Sequence, residues 1–377
     1  MPIGSTFASL RPVPARFPGL LARFAKCSRV LLLSAAYIGV ATCLCSLAGC
    51  NESAPATSGN ASSGAKSPAS FAFVVNGVAD FWIPAQAGAR VAAQELGVDL
   101  SIVTPSNRTD QTRKLEDLLV RGIDGVAVSP INSDNQIDIL NRVAKESILV
   151  IHDSDAPQTE RKVYIGTDNY EAGYLCGGLA RQALGEGGKA MIFIGRMDQD
   201  NSKYRRQGCI DAILGRPKDA SRPSDPPGEE VTSDDGKYVV LGTLTDQFDR
   251  PKAKANAEDT LTRYPDVKAM VGLFEYNPPL IMEALDRAGK LGKVAVIGFD
   301  ENQVMLQGIK DGSVVGTVVQ NPFQYGYQSI RILHELSNGD ESSIPDDKFI
   351  DIPSRVIDAS NVDEFWADLK EKISSGK

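Results

Sequence analysis

FAFVVNGVADFWIP, residues 71–84, begins as a fully buried strand does, with five consecutive apolar residues from Phe71 to Val75. Asn76 and Gly77 then turn the chain, and Phe81 and Trp82 stand side by side where a helix should start. Two large rings at the mouth of a strand-to-helix turn lie where water or a ligand would be. Taken alone, such a pair is ordinary helix-to-sheet packing. The sequence on either side changes that reading.

Downstream, apolar runs alternate with helical patterns. DLSIV (99–103), GVAVS (125–129), ILVIHD (148–153) and KVYIGTDN (162–169) follow the first run, with helices expected near 83–96, 111–120 and 135–145. The rhythm then restarts with KAMIFIG (189–195), VVLGTL (239–244), VKAMVGLF (267–274) and KVAVIGFD (293–300), separated by helices starting near residues 170, 203, 252 and 280. Short apolar runs between helices are the mark of parallel strands covered on both faces, and right-handed crossovers make these open, doubly wound sheets. There are about twice as many units as one such sheet needs, so an α/β chain of two similar lobes is expected. Ligand contacts should then lie in loops after the carboxyl ends of the strands. Those loops hold Asn76, Phe81, Trp82, Ser129, Asp153, Arg205, Phe248, Asn277, Asp300 and Gln320. The Pro-, Asp- and Ser-rich stretch 216–237 breaks the rhythm and is read as a surface loop without a function.

The 377 residues suffice for two domains, and 42% hydrophobic with 23% charged residues describe a water-soluble globular body. A net charge of -8 without a basic patch argues against nucleic acid as a partner. The amino-terminal segment differs in kind. Arg11, Arg16, Arg23, Lys26 and Arg29 precede an apolar run that ends in Leu47-Ala48-Gly49-Cys50. This predicts a secretion signal over 1–49, with a transmembrane anchor as the alternative. The Ser/Ala/Gly/Pro segment 50–69 is expected to be a flexible tether. Only Cys176 and Cys209 remain in the body, and they read as small buried hydrophobes more readily than as a disulfide.

The ordered phrases LLVRGIDGVAVSPINSD (118–134), ILVIHDSD (148–155), YIGTDNYEAG (164–173), FDRPKA (248–253), YPDVKAMVGLFEYN (264–277), VIGFDE (296–301) and VVGTVVQNP (314–322) carry a resemblance. With the opening strand and its aromatic pair, the chain resembles periplasmic sugar-binding proteins of the ribose/galactose type, the solute receptors of ABC transporters, over about 71–358. The end of the signal similarly resembles the lipobox of bacterial lipoproteins, which makes Cys50 the lipidated residue. The resemblance implies two lobes joined by a three-strand hinge, one made of 70–167 with 321–350 and the other of 168–320 with 351–377. A monosaccharide, pentose or hexose, would lie between them.

Carried over by position, Phe81 and Trp82 would sandwich the sugar ring from one lobe and Phe248 from the other. Asp153, Arg205, Asn277, Asp300 and Gln320 would bond its hydroxyls. Asn76 and Ser129 would touch the ligand or cap helices, Tyr276 would be ring contact or core, and Phe274 core. The chemistry fits, because sugars have apolar C–H faces and a polar rim, which rings and ionic groups respectively match. Three departures bear on specificity. Ser154 replaces the Arg that commonly follows the strand-end Asp, Ser129-Pro130 replaces an Asn-Pro, and Val78-Ala79-Asp80 replaces an Asn-Asn-Pro element. The implied role is an extracytoplasmic, membrane-anchored monomeric lipoprotein without cofactor, handing sugar to an ABC permease, or alternatively to a signalling kinase or chemoreceptor.

An enzyme is disfavoured. His152 and His334 are the two histidines, and there is no Gly-x-Ser-x-Gly, no Gly-x-Gly-x-x-Gly after the first strand and no Cys/His metal spacing. His152 is read as structural or as a ligand contact. A transcription regulator of the lactose-repressor family would need a DNA-binding helix-turn-helix where the signal and tether stand.

Overall fold

The computed structural model describes residues 68–377. The expected signal, Cys50 and all but the last two residues of the expected tether lie outside the described residues.

The chain first lays down β1 (Ser70–Val74), α1 (Trp82–Leu96), β2 (Asp99–Val103), α2 (Arg108–Val120), β3 (Gly125–Val128), α3 (Ile137–Glu146), β4 (Ile148–His152) and β5 (Val163–Gly166). It continues with α4 (Asn169–Leu184), β6 (Gly188–Ile194), α5 (Asp200–Leu214), β7 (Val231–Thr232), β8 (Tyr238–Thr245), α6 (Arg250–Arg263), β9 (Val267–Gly272), α7 (Asn277–Arg287), β10 (Ala295–Phe299), α8 (Gln303–Lys310) and β11 (Gly316–Val319). It ends with α9 (Pro322–Ser337), β12 (Phe349–Asp351), β13 (Arg355–Ile357) and α10 (Val362–Ser375).

Two sheets result. The first runs β12-β5-β4-β3-β1-β2 and is parallel throughout. The second runs β13-β11-β10-β9-β6-β8-β7, parallel in its centre and antiparallel at both edges. The opening strand is buried on both faces as its composition demands. Phe71 and Phe73 pack into one apolar cluster with α1 and α9, while Ala72 and Val74 pack into another with α2 and α3. Several helices start about a turn before the apolar spacing does, because their first turns are polar and capped. Asn107 accepts from the Asp110 amide at 3.0 Å and opens α2, and Asp249 accepts from the Lys252 amide at 2.9 Å and opens α6.

Each lobe contains one very close helix pair. In the first, a Cβ at Gly88 of α1 would lie 2.0 Å from the Phe323 carbonyl oxygen, and one at Gly326 of α9 would lie 1.8 Å from that of Ala85. In the second, Gly173 of α4 and Gly208 of α5 stand in the same relation to the carbonyls of Arg205 and Tyr170, at 1.9 and 2.0 Å. Any side chain there would force the helices apart. These contacts fix α1 and α5, the helices that carry Trp82 and Arg205.

Three passages cross between the sheets: at Thr167-Asp168 after β5, at Gln320-Asn321 after β11, and from Ile352 to Ser354 between β12 and β13. The first and third are bonded to each other, with the Thr167 hydroxyl donating to the Ile352 carbonyl and the Ile352 amide to the Gly166 carbonyl at 2.6 Å. Helix α10 buries Phe365 and Leu369 in the core of the second lobe, while its end at Gly376 rests on Ala87 of α1. Segment 216–237 is held by ion pairs, in which Arg216 reaches Asp211 at 3.2 Å and Asp225 at 2.7 Å. Cys176 and Cys209 are both buried and free.

Candidate ligand-binding cleft

Between the carboxyl ends of the two sheets lies a cleft of about 510 Å³, counted to its open mouth, within the range of small-molecule sites. Eight of the ten expected residues line it: Asn76, Phe81, Trp82 and Asp153 from one side, and Arg205, Phe248, Asp300 and Gln320 from the other side and the crossing.

Asp153 and Asp300 follow the last residues of β4 and β10 with φ of 61° and 66°. A left-handed backbone is uncommon for residues with a side chain, though Asp tolerates it better than most. At these two strand ends it turns each carboxylate into the cleft. Asp153 Oδ2 accepts from Ser129 Oγ at 2.8 Å and Asn76 Nδ2 at 3.3 Å; Asp300 Oδ1 accepts from Gln320 Nε2 at 2.7 Å. Burial pushes both carboxyls up, Asp153 to about 6 and Asp300 to about 7, while Arg205 pulls the other way.

Arg205 is 2% exposed, with its guanidinium carbon over the Phe299 ring at 3.9 Å from the centroid. Its donors hold Asn169 Oδ1, the Leu273 carbonyl and Gln320 Oε1, so the guanidinium is locked before any ligand arrives. Arg206, next to it, points away from the cleft and donates to Thr243 Oγ1 and the Asp225 carbonyl.

Trp82 Nε1 donates to Asn76 Oδ1 at 3.2 Å, and Phe81 meets the Trp82 ring edge-on at 4.9 Å. Behind Trp82 lies His152, fully buried and stacked on Phe73 at 4.3 Å, with burial lowering its pKa to about 3. His152 is therefore a neutral packing element and not part of the cleft lining.

Two expectations are corrected. Ser129 is fully buried behind Asp153 and does not reach the cleft. Asn277, the first residue of α7, turns back, donating to Asp246 Oδ2 at 2.9 Å and accepting from the Phe274 amide at 3.1 Å. Both hold lining residues in place. Phe274, expected in the core, lines the cleft and stacks on Phe248 at 5.6 Å, and Tyr276 lines it as well.

Sequence reasoning missed Asp246, Gln199, Asn201 and Glu275. Asp246 collects the Tyr276 hydroxyl at 2.5 Å, the Asn277 amide and the Phe248 backbone amide at 2.8 Å, and so ties the aromatic loop together. Like Asp153 and Asp300 it directly follows a strand, which was the available signal. Gln199, in the loop after β6, and Asn201, in the first turn of α5, line the cleft. Gln199 Nε2 also donates across the rim to the Ile131 carbonyl at 3.2 Å, beside a second bridge from Asn132 Nδ2 to Asp198 at 3.4 Å. Glu275 is 5% exposed at the cleft wall.

Two lobes, three crossings and a polar-and-aromatic cleft at the strand ends define a binding protein that grips a small ligand from both sides. The sequence profile of the periplasmic binding protein domain matches residues 71–341, and the chain belongs to that family. It is 26% identical over 294 residues to the ribose import binding protein RbsB of Salmonella typhimurium, covering 77% of this chain and 92% of that protein. Among solved structures, it is 26% identical to an ABC transporter solute-binding protein from Burkholderia graminis in complex with D-arabinose, with a TM-score of 0.69 over 78% of this chain and 96% of the other. A solute-binding protein from Agrobacterium vitis with bound D-fucose matches at 25% identity and a TM-score of 0.69, over 80% of this chain and 99% of the other. These relatives are transport binding proteins and not enzymes.

Proposed function

We propose that the protein is an extracytoplasmic, lipid-anchored receptor that binds a monosaccharide, pentose or hexose, and delivers it to an ABC importer by closing its lobes. The observation that carries this is the opposition, across one cleft, of Phe81 and Trp82 to Phe248 and Phe274, with Asp153, Asp300 and Arg205 between them. Rings cover the apolar faces of a pyranose or furanose, and the ionic groups take up its hydroxyls. Because both lobes contribute, ligand binds the closed arrangement better than the open one and shifts the population towards it. The rim bonds Gln199–Ile131 and Asn132–Asp198 join the two sides across the cleft mouth, which supports closure of the lobes over the ligand. The ribose import binding protein and the solute-binding proteins in complex with D-arabinose and D-fucose support the sugar class.

A thermal-shift screen against pentoses, hexoses and polyols tests the ligand class, since a ligand of the native state raises the melting temperature. A protein indifferent to every sugar would overturn it. No helix among the described residues is long and apolar enough to cross a membrane. The lipobox-like ending Leu47-Ala48-Gly49-Cys50 supports anchoring through Cys50, and Cys50→Ser should move the protein from the membrane to the soluble fraction; retention on the membrane would favour an uncleaved amino-terminal anchor.

A further inference from the structure

The cleft is lined by three carboxyl groups, Asp153, Glu275 and Asp300, against one guanidinium, that of Arg205. Glu275 is the odd member. Its Oε1 accepts from Asn302 Nδ2, while Oε2 is buried and has no partner among the described residues. Asp153 Oδ1 and Asp300 Oδ2 likewise make no hydrogen bond within the described residues, because the partners of these groups all sit on the opposite oxygen. Arg205 leaves the imbalance in place, since its own bonds go to an amide oxygen of Asn169, one of Gln320 and a backbone carbonyl.

A carboxylate can only accept, where an amide at the same place could both donate and accept. A neutral sugar would satisfy Oε2 with a hydroxyl but bring no positive charge to a wall that carries three carboxyl groups against one guanidinium. An ammonium group supplies three donors and the missing positive charge. The Phe248, Phe274 and Tyr276 rings beside Glu275 offer it π-faces. The other charged groups facing Glu275 are Asp80 from the opposite lobe, Asp300, the half-buried Glu301 and the exposed Arg250. Asp80 and Asp300 add to the pull on a cation, and Arg250, at the edge of the Tyr276 ring, opposes it.

We infer that Glu275 is the specificity-determining residue of this cleft and that the ligand it selects is an aminodeoxy monosaccharide, whose ammonium group sits on the unpartnered Glu275 oxygen. This rests on the sugar reading above and narrows it. Burial and Asp80 both raise the Glu275 carboxyl, so that a bound ammonium and the ionised carboxylate favour each other.

Isothermal titration of the full-length protein near pH 7 compares each aminodeoxy hexose, with the amine at C2, C3 or C6, against its parent sugar and its N-acetyl derivative. One amine is expected to bind about tenfold or more tighter than its parent, on the scale of a charge-assisted bond, and acetylation should remove that advantage. Glu275→Gln should collapse the amine-to-parent ratio to about threefold or less. The comparison of ligands on the unaltered chain does not depend on the folding of the variant. Parents binding as tightly as every amine would overturn the inference and leave the sugar reading standing. If neither class binds, both fall.

Discussion

The two walls of the cleft are built differently. On the first lobe Trp82 and Phe81 are 3% and 9% exposed, and the indole is backed by His152, which stacks on Phe73 of β1. These rings are part of the hydrophobic core and are in place as soon as the lobe folds. On the second lobe Phe248 is 46% exposed, on a loop where Gln247 and Phe248 both have positive φ, 61° and 64°. Its loop is held by Asp246 and by stacking on Phe274, without a core behind it. One wall is a platform fixed by folding, and the other is a loop that can adjust when the lobes meet. Most of the charge also sits on the adjustable side, with Arg205, Glu275 and Asp300 against Asp153 alone.

The sharpest way to break this contrast is Trp82→Ala. If the indole belongs to the core, the variant should lose about 3–5 kcal/mol of stability in denaturant unfolding, in addition to weaker sugar binding. A loss well below 1 kcal/mol would put Trp82 on the same footing as Phe248. Next in size is Asp300→Ala, which leaves Gln320 Nε2 and a ligand donor unpaired in a buried site. Titration calorimetry should show about 2–3 kcal/mol of lost affinity. Unchanged affinity would remove Asp300 from the ligand.

A smaller effect follows from the same carboxyl. Asp300 has its pKa raised from 3.8 to about 7 and Asp153 to about 6, so the folded, ligand-free protein holds protons that the unfolded chain has released. The stability these groups contribute is complete below about pH 4 and is lost as pH rises through about 6 to 7. Other carboxylates bias the chain the opposite way, among them Asp219 and Asp225, so the test is a difference. Unfolding measured at about pH 4.5 and about pH 7.5 should show Asp300→Asn losing less than the native protein over that interval, by on the order of 1–2 kcal/mol. Parallel behaviour would mean that Asp300 is not protonated in the empty cleft.

The platform was more legible in the sequence than the loop, and the reason is local. Strands such as FAFVV are apolar on both faces, so composition alone marks them, and the residues directly after such runs lie at the end of the sheet where the cleft is. Asp153 and Asp300 could therefore be read from position. Ser129 directly follows β3 and Asn277 opens α7 beyond β9, but whether a side chain there points forward or back is decided by local backbone rotation, and the apolar pattern is silent on that. Phe274 looked like core because it continues VKAMVGLF, whereas β9 ends at Gly272 and the ring lies past it. The edge strand β7 is two residues in a polar loop and has no periodicity to read. Glu275 was missed because nothing short of the folded cleft shows that its second oxygen has no partner.

The gentlest test sits on the loop itself. Phe248→Ala removes a ring that stacks on Phe274 and is half open to solvent, with the backbone held by Asp246 through the main-chain amide and not through the side chain. Alanine keeps a Cβ at φ 64°, so the local backbone preference changes little, whereas glycine would relieve it and confuse the result. Stability should then stay within about 0.5 kcal/mol of the native protein, as for a surface position. Sugar affinity should fall by about 0.5–1.5 kcal/mol, the scale of one aromatic contact. A stability loss rivalling that of Trp82→Ala would show that both walls are core, and the contrast between platform and loop would fail. Affinity unchanged within error would mean the ring does not reach the ligand, leaving Phe274 and Tyr276 as the aromatic face of the second lobe.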